Sequence, residues 1–282
     1  MPDLWRHDPR KLLAFIAGDN VADIDTAATP GFTGSKDDVP RLQAERNERY
    51  AALQELLYAN GKEGDPRSVL LVLQGMDTAG KGGIVKHVVG AGNPMGICYT
   101  AFGVPTEEER KHHYLWRVWR ALPPAGHIGV FDRSHYEDVL VVRVHSLVPP
   151  EVWGARYDEI NAFERQLVDG GMTLVKVALL LSPREQKRRL KERLERPDKY
   201  WKYNPKDVDE RRLWPKYVKA YQAMLDNTST PHAPWYVVPC DQKWYSRLAV
   251  TELLIDALGS LGLSWPPAKF DVEAEKKRLT DS

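Results

Sequence analysis

The sequence is poor in cysteine, in long apolar runs and in net charge. Cys98 and Cys240 are its only cysteines, and their separation matches no metal site and no CxxC motif. We therefore expect two buried, reduced thiols. No apolar run approaches the roughly 20 residues of a membrane helix, which excludes a span of that kind. The formal net charge of +1 argues against a general nucleic-acid binder.

We also expect no secretory signal. Residues 1–10 are polar and contain no apolar segment of the kind that directs secretion. The hydrophobic fraction of 43% is usual for a protein with a substantial core. We expect a cytoplasmic enzyme that binds neither membranes nor nucleic acid. Its predicted parts are an irregular extension over residues 1–40, a main domain over 41–265 and a charged tail over 266–282.

The main domain alternates apolar strands with helices. Predicted strands cover residues 68–74, 97–102, 127–131, 173–181 and 235–238. Predicted helices cover residues 39–60, 82–89, 106–122, 135–144, 150–168, 183–195, 207–225 and 244–261. Because the strands are almost continuously apolar, the pattern predicts an α/β fold with a parallel sheet covered by helices on both faces.

The most informative segment runs from Leu71 to Gly83, where an apolar strand breaks into a glycine-rich loop. The spacing Gly75-x4-Gly80-Lys81 matches the phosphate-binding P-loop. Glycines let backbone N–H groups approach an anion, and the lysine, expected to be exposed to ligand, adds a full positive charge. Gly82 stands where a Ser or Thr normally ligates magnesium, so the metal must be held from elsewhere.

Two acidic residues are candidates for that task. Asp132 ends an apolar strand, where parallel sheets bind ligands, and Asp77 lies inside the loop itself. Carboxylates suit Mg²⁺. The alternatives are a helix-capping role for Asp132 and turn chemistry for Asp77. The next residue, Arg133, can clamp phosphate bidentately or pair with Glu137.

A basic segment over residues 184–219 is the fourth feature. Arg189, Arg193 and Arg196 share one face of its first helix. Salt bridges such as Glu192–Arg196 account for part of this charge. The aromatic and basic stretch 197–205 between two helices predicts a lid, over about 184–219, that closes on a polyanion and excludes water.

These features together predict phosphoryl transfer, which depends on positioning and charge neutralisation. Two other functions remain open from the residues alone. One is an ATP-dependent nucleoside or nucleotide kinase of the thymidylate kinase type, which shares the loop and the strand-terminal Asp-Arg-Ser. The other is a non-catalytic P-loop switch that binds nucleotide or polyphosphate.

Four motifs in order resemble the polyphosphate kinase 2 family. They are Gly75-Met-Asp-Thr-Ala-Gly-Lys-Gly-Gly83, Phe131-Asp-Arg-Ser-His-Tyr-Glu-Asp138, Tyr200-Trp-Lys-Tyr-Asn-Pro205 and His232-Ala-Pro-Trp-Tyr-Val-Val238. The continuation Val139-Leu-Val-Val-Arg-Val-His145 resembles the class III subgroup. The resemblance extends over residues 42–265.

The resemblance implies a three-layer P-loop kinase-like catalytic domain with a helical lid. It implies reversible, Mg²⁺-dependent transfer of the terminal phosphoryl group of inorganic polyphosphate to a nucleotide, from AMP to ADP or from ADP to ATP. Mn²⁺ is an alternative metal. Adenine nucleotides are the expected acceptors, with guanine nucleotides as a second option, and a homodimer or homotetramer is expected.

The resemblance also implies roles for individual residues. Asp77 and Asp132 would hold the metal and orient the acceptor phosphate, and Glu137 would support them. Phe102 and Pro105 would border the nucleobase. The implied catalytic set is Asp77, Lys81, Asp132, Arg133, Glu137 and Arg193. The implied polyphosphate contacts are Ala79, Gly80, Lys81, Gly82, Gly83, Lys86, Arg133 and Arg193.

Overall fold

The computed structural model describes residues 5–6 and 8–282; residues 1–4 and 7 of the predicted N-terminal extension lie outside the described part. Its centre is a five-stranded parallel sheet in the order β2-β3-β1-β4-β5. The strands are β1 (Ser68–Gly75), β2 (Ile97–Ala101), β3 (Ile128–Asp132), β4 (Met172–Leu180) and β5 (Trp235–Pro239).

The sequence explains why β1 is the central strand. All eight of its residues are buried, as expected for a nearly continuous apolar run with helices on both sides. Leu71 pairs with Val130 of β3 on one side and Val175 of β4 on the other. The loop that follows β1 therefore starts from the best-supported backbone in the fold.

Helices cover both faces of the sheet. They are α1 (Pro9–Leu13), α2 (Val39–Lys62), α3 (Lys81–His87), α4 (Trp116–Ala121), α5 (Val141–Val144), α6 (Pro150–Asp169), α7 (Pro183–Glu195), α8 (Lys206–Glu210), α9 (Trp214–Thr228), α10 (Lys243–Ser260) and α11 (Val272–Thr280). None of the described helices combines the length and apolarity needed to cross a bilayer.

Alternate residues of β1 serve two separate cores. Leu71 and Leu73 pack with α2, α3 and α10 on one face. Leu70 and Val72 pack with α4, α5, α6 and α9 on the other. This arrangement confirms the predicted α/β fold with a helix-covered parallel sheet. It also leaves the carboxyl ends of the strands open at one edge, where the loops meet.

Several predicted helices are broken. In the predicted helix 106–122, Thr106 Oγ1 accepts from the Glu109 backbone N–H at 3.2 Å, but only a turn and the 3₁₀ helix Glu109–Lys111 follow. Its continuation is wrong: the backbone is extended at His112, and the α-helix starts only at Trp116. This turn brings Leu115 and Val118 into the core, so tertiary packing overrides the local helical preference.

Two other segments differ from the predictions. The predicted helix 207–225 is interrupted by a 3₁₀ turn, Arg211–Leu213, immediately before the helix that carries Pro215. The tail forms an unpredicted helix, α11, none of whose residues is buried. Near the other end of the chain, the Phe15 N–H donates to the Trp235 carbonyl at 2.8 Å, which docks the extension on β5.

Candidate active site

A cavity of about 660 Å³ opens at the carboxyl ends of β1 and β3. Nine lysine and arginine residues and three carboxylates line it, so it is strongly positive. The basic residues are Lys81, Lys86, Arg133, Arg189, Arg193, Lys199, Lys202, Lys243 and Arg247, and the acids are Asp77, Asp132 and Glu192. A cavity with this balance is suited to a polyanion.

The glycine-rich loop forms its floor. Gly80 has φ +116°, a left-handed conformation that L side chains rarely adopt, and a Cβ at Gly82 would meet only open space. Within the described residues, the backbone N–H groups of Gly80, Lys81 and Gly82 donate to no acceptor. Consecutive unpaired N–H groups in such a turn form a concavity that binds anions.

Lys81 is less exposed than expected. It is 9% exposed, and its Nζ donates to the Gly75 carbonyl at 2.6 Å. Burial lowers the pKa of Lys81, while the charge of Asp132 acts in the opposite direction. The amine folds back over the end of β1 while the residue still lines the cavity, so its exposure to ligand stays a prediction.

Arg133 pairs with Asp77, not with Glu137. Its Nη2 lies 3.0 Å from Asp77 Oδ1, and its backbone adopts a left-handed φ of +64° that turns the side chain back across the loop. Glu137 instead accepts from Gln74 Nε2 at 3.1 Å. Burial raises the pKa of Glu137, against the charges of Arg133 and Lys81.

Asp77 and Asp132 both face the cavity with free acceptor capacity. Asp132 Oδ2 accepts only a long 3.4 Å bond from the Tyr99 hydroxyl, and Asp77 Oδ2 accepts none within the described residues. The described residues contain no group of three or more metal-ligating side chains. Mg²⁺ fits such a site, because it is usually held by one or two carboxylates together with water and substrate phosphates.

Arg193 reaches the cavity from α7, one helical turn beyond Arg189. Its Nη1 donates to the Lys202 carbonyl at 2.8 Å and lies 3.4 Å from Asp207 Oδ2. Burial and the nearby Asp77 charge raise the pKa of Asp207 to about 6. Within the described part of the chain, these are the only two contacts of the guanidinium, so a phosphate can compete for it.

The comparisons with known proteins agree with this geometry. A family model described as polyphosphate kinase 2 matches residues 34–261. This chain belongs to the polyphosphate kinase 2 family. Its similarity to the crystal structure of polyphosphate kinase 2 from Arthrobacter aurescens TC1 has a TM-score of 0.96 at 50% identity, covering 99% of this chain and 98% of the other.

Two curated relatives share most of the chain. The AMP/ADP-polyphosphate phosphotransferase of Meiothermus ruber is 46% identical over 238 residues, which is 84% of this chain and 88% of the relative. The ADP-polyphosphate phosphotransferase of Rhodopseudomonas palustris is 40% identical over 247 residues, 83% of this chain and 84% of the relative. The predicted family resemblance and the P-loop kinase-like fold are therefore confirmed.

In this polyphosphate kinase 2 family member, the cavity brings together most of the residues that the sequence singled out. Asp77, Lys81, Asp132, Arg133 and Arg193 all line it, as do Ala79, Gly80, Gly82, Gly83, Lys86 and Phe102. Phe102 packs edge-on against Phe131, with ring centroids 4.9 Å apart. Pro105 and Glu137 are outside the lining set, although Glu137 lies directly behind it against Gln74.

One wall of the cavity was missed from the sequence. Lys243, Ser246 and Arg247 project from the first turns of α10, and a Cβ at Gly83 would lie 3.6 Å from Arg247 Nη2. No carboxylate in the described part of the chain forms an ion pair with Arg247. The signal was the basic i,i+4 pair Lys243 and Arg247 in α10, which carries no motif and lies far from the loop in the sequence.

Proposed function

We propose that this chain transfers the terminal phosphoryl group of inorganic polyphosphate to AMP or ADP. The observation that carries the proposal is the P-loop cavity with its large excess of cationic side chains. A nucleoside triphosphate needs fewer cations than a long phosphate chain does. The family membership and the names of the two relatives point the same way.

The donor chain lies along the loop and the basic walls of the cavity. The unpaired N–H groups of the loop and the Lys81 ammonium neutralise phosphate oxygens near the reacting end. Arg133 and Arg193 enter from opposite sides, from the end of β3 and from α7. Guanidinium groups in this position stabilise the charge that spreads over the transferring phosphoryl group.

The acceptor phosphate lies near Asp77 and Asp132, and the base lies toward Phe102. A bound Mg²⁺ on the two carboxylates supplies Lewis-acid polarisation of phosphoryl oxygens. Without a metal ion, the charges of Asp77 and Asp132 would repel a bound phosphate. A divalent cation held by the two carboxylates would remove this repulsion. Mg²⁺ as the ion, adenine as the base and a homodimer or homotetramer as the assembly are parts of the proposal.

The segment 197–210 bounds the cavity above the loop through Lys199, Trp201 and Lys202. Trp201 is 78% exposed, which is unusual because tryptophan side chains are largely buried on average. Closure of this segment on bound polyphosphate would bury the ring and exclude water. Exclusion of water favours transfer to the nucleotide over hydrolysis.

The test is an assay without ATP. Purified protein is incubated with polyphosphate, Mg²⁺ and AMP or ADP, and the nucleotides are separated over time. We expect ADP from AMP or ATP from ADP, and no product when polyphosphate or the metal is omitted. Transfer from ATP to a nucleoside with no use of polyphosphate would contradict the proposal, and binding without turnover would identify a switch.

A further inference from the structure

Side chains of helix α7 donate hydrogen bonds to backbone carbonyls of the glycine-rich loop. Gln186 Nε2 donates to the Asp77 carbonyl at 3.1 Å. Arg189 Nη1 donates to the carbonyls of Thr78 at 2.8 Å and Ala79 at 3.1 Å. Two side chains, three residues apart on one helix face, therefore bind three consecutive loop carbonyls.

The same arginine ties the loop to the end of β5. Its Nη2 donates to the carbonyls of Cys240 and Asp241, and its Nε lies 2.8 Å from Glu185 Oε1. Arg189 is 3% exposed, so these bonds are shielded from water. Burial acts to raise the pKa of Glu185, but hydrogen bonds from Arg188 and Arg189 outweigh it and lower that pKa to about 2.

These bonds account for the shape of the loop. Thr78 has a left-handed φ of +68°, which costs free energy in a β-branched residue and persists only where the surroundings impose it. With the carbonyls of Asp77, Thr78 and Ala79 engaged by α7, the loop cannot rotate its peptide units. The unpaired N–H groups that follow are thereby kept on the cavity side.

The bonds also limit which part of the predicted lid can move. Arg193 lies one turn after Arg189 on the same helix, so it is held at a fixed distance from the loop. At the far end, Arg211 Nη1 donates to Gln186 Oε1 at 2.7 Å and to the Pro183 carbonyl at 3.1 Å. The stretch between these anchors, residues 197–210, is attached to α7 mainly through the Arg193 contacts.

We propose that Gln186 and Arg189 are positioning residues that join the phosphate loop and α7 into one rigid frame, so that closure is confined to residues 197–210. This rests on the proposed function and narrows the lid predicted over 184–219. Arg193 then belongs to the frame. Closure of residues 197–210 brings Lys199, Lys202 and Trp201 toward Arg193, whose position the frame has already fixed.

The first test compares Arg189→Lys with Arg188→Lys. Both arginines pair with Glu185, but the Arg188 side chain is 59% exposed and makes no loop contact, so it is the matched control. We expect Arg189→Lys to raise the KM for polyphosphate about 10-fold and to lower kcat/KM about 10²-fold, since small misplacements are costly in catalysis. Arg188→Lys should change either value less than about twofold. A lower kcat with unchanged KM, in proportion to the folded fraction, would overturn the positioning role.

The second test is hydrogen exchange without any ligand, which does not depend on the proposed function. In Arg189→Lys, the hydrogen-bonded loop amides of Ala79 and Gly83, which donate to the Met76 and Gly80 carbonyls, should exchange about 10-fold faster than in the unmodified chain, while the sheet is unchanged. Gln186→Met, which keeps the arginine, should give a smaller change in the same direction and serves if Arg189→Lys does not fold. Unchanged loop exchange in Gln186→Met would refute the frame.

The third test adds inorganic polyphosphate to the unmodified chain. We expect new protection in residues 197–210 and none in 183–195. Equal protection of both segments would overturn the placement of the hinge. If the chain neither binds nor uses polyphosphate, the proposed function fails, while the ligand-free exchange still decides whether α7 holds the loop.

Discussion

Two buried lysines of this protein have opposite surroundings. Lys176 in β4 is fully buried and has three partners: Glu164 Oε2 at 2.7 Å, the Tyr136 hydroxyl at 3.0 Å and the Thr228 carbonyl at 2.7 Å. Among the residues that the structure describes, Lys81 Nζ has one hydrogen-bond partner, the carbonyl of Gly75. Burial lowers the pKa of both, but only Lys176 has a carboxylate in direct contact that raises it again.

The difference separates a structural charge from a functional one. An ammonium group has three donors, and a buried one that uses them all is part of the architecture. Lys81 uses one donor and faces a cavity, so its remaining capacity is available to an anion. A buried charge with incomplete partners is costly in the free protein, and ligand binding can offset that cost.

The largest expected effect is on turnover in Lys81→Ala. We expect a loss of activity on the order of 10⁴-fold or more, comparable to the removal of a principal charge from a phosphoryl-transfer site. The free energy of unfolding should stay equal or rise, because a poorly partnered buried charge is removed. Lys216→Ala on the exposed side of α9 is the control. Near-native turnover in Lys81→Ala would contradict the role of the loop lysine.

Arg193→Ala should follow, with kcat lower by about 10³-fold through loss of transition-state charge stabilisation. Arg196→Ala is a matched control, because Arg196 directly follows α7, does not line the cavity and pairs with Asp198 and Glu192. Steady-state kinetics with polyphosphate and AMP would distinguish them. A fall in thermal stability with an unchanged kcat would show that Arg193 has a structural role only.

Lys176→Met should affect stability instead of chemistry. We expect the free energy of unfolding to fall by about 3–5 kcal/mol, because Glu164 is left charged in the core without its ammonium partner and keeps only its contacts with Tyr136 and His135. Adding Glu164→Gln should recover part of that loss. Urea denaturation measures both, and the KM for polyphosphate of the folded fraction should be unchanged. A changed KM would contradict the assignment of Lys176 to a purely structural role and of Lys81 to the functional one.

Asp207→Asn gives the smallest effect and a defined pH dependence. The folded-state pKa of Asp207 is about 6, above its ordinary value of 3.8, because of burial and the charge of Asp77, despite Arg193 and Arg133. Its stabilising contribution is thus complete below about pH 4 and lost as the pH rises through 6. The variant should match the parent at pH 4 and exceed it by on the order of 1–2 kcal/mol at pH 8. Equal stability at pH 8 would contradict this.

The features that could be predicted from the sequence are those whose residues lie close together along the chain. The apolar run of β1, the turn at Gly80 and the acid at the end of β3 each lie within a few residues, and parallel strand ends meet at one edge. Those rules were enough to place Asp77, Lys81, Asp132 and Arg133 together. The metal, the base and the individual site roles stay predictions.

What was missed depends on distant contacts. Arg189 looked like one more basic residue of a solvated helix face, yet it binds carbonyls 110 positions away in the loop. The α10 wall has no motif, and the raised pKa of Asp207 arises from burial and from the charge of Asp77, which lies far away in the sequence. In α7 the buried residues are Gln186, Arg189 and Leu190, whereas Leu194 is exposed, so the spacing of its apolar residues did not identify the side of this helix that meets the core.

The bonds of Gln186 and Arg189 set a rule for exchanging parts between related enzymes. A transplanted segment that includes α7 would bring a foreign side-chain pair against the loop carbonyls, and the recipient loop would lose its support. Junctions at Arg196–Pro197 and just before Arg211 leave both anchors with the recipient. Residues 197–210 are therefore the natural unit for grafting new substrate preferences onto this scaffold.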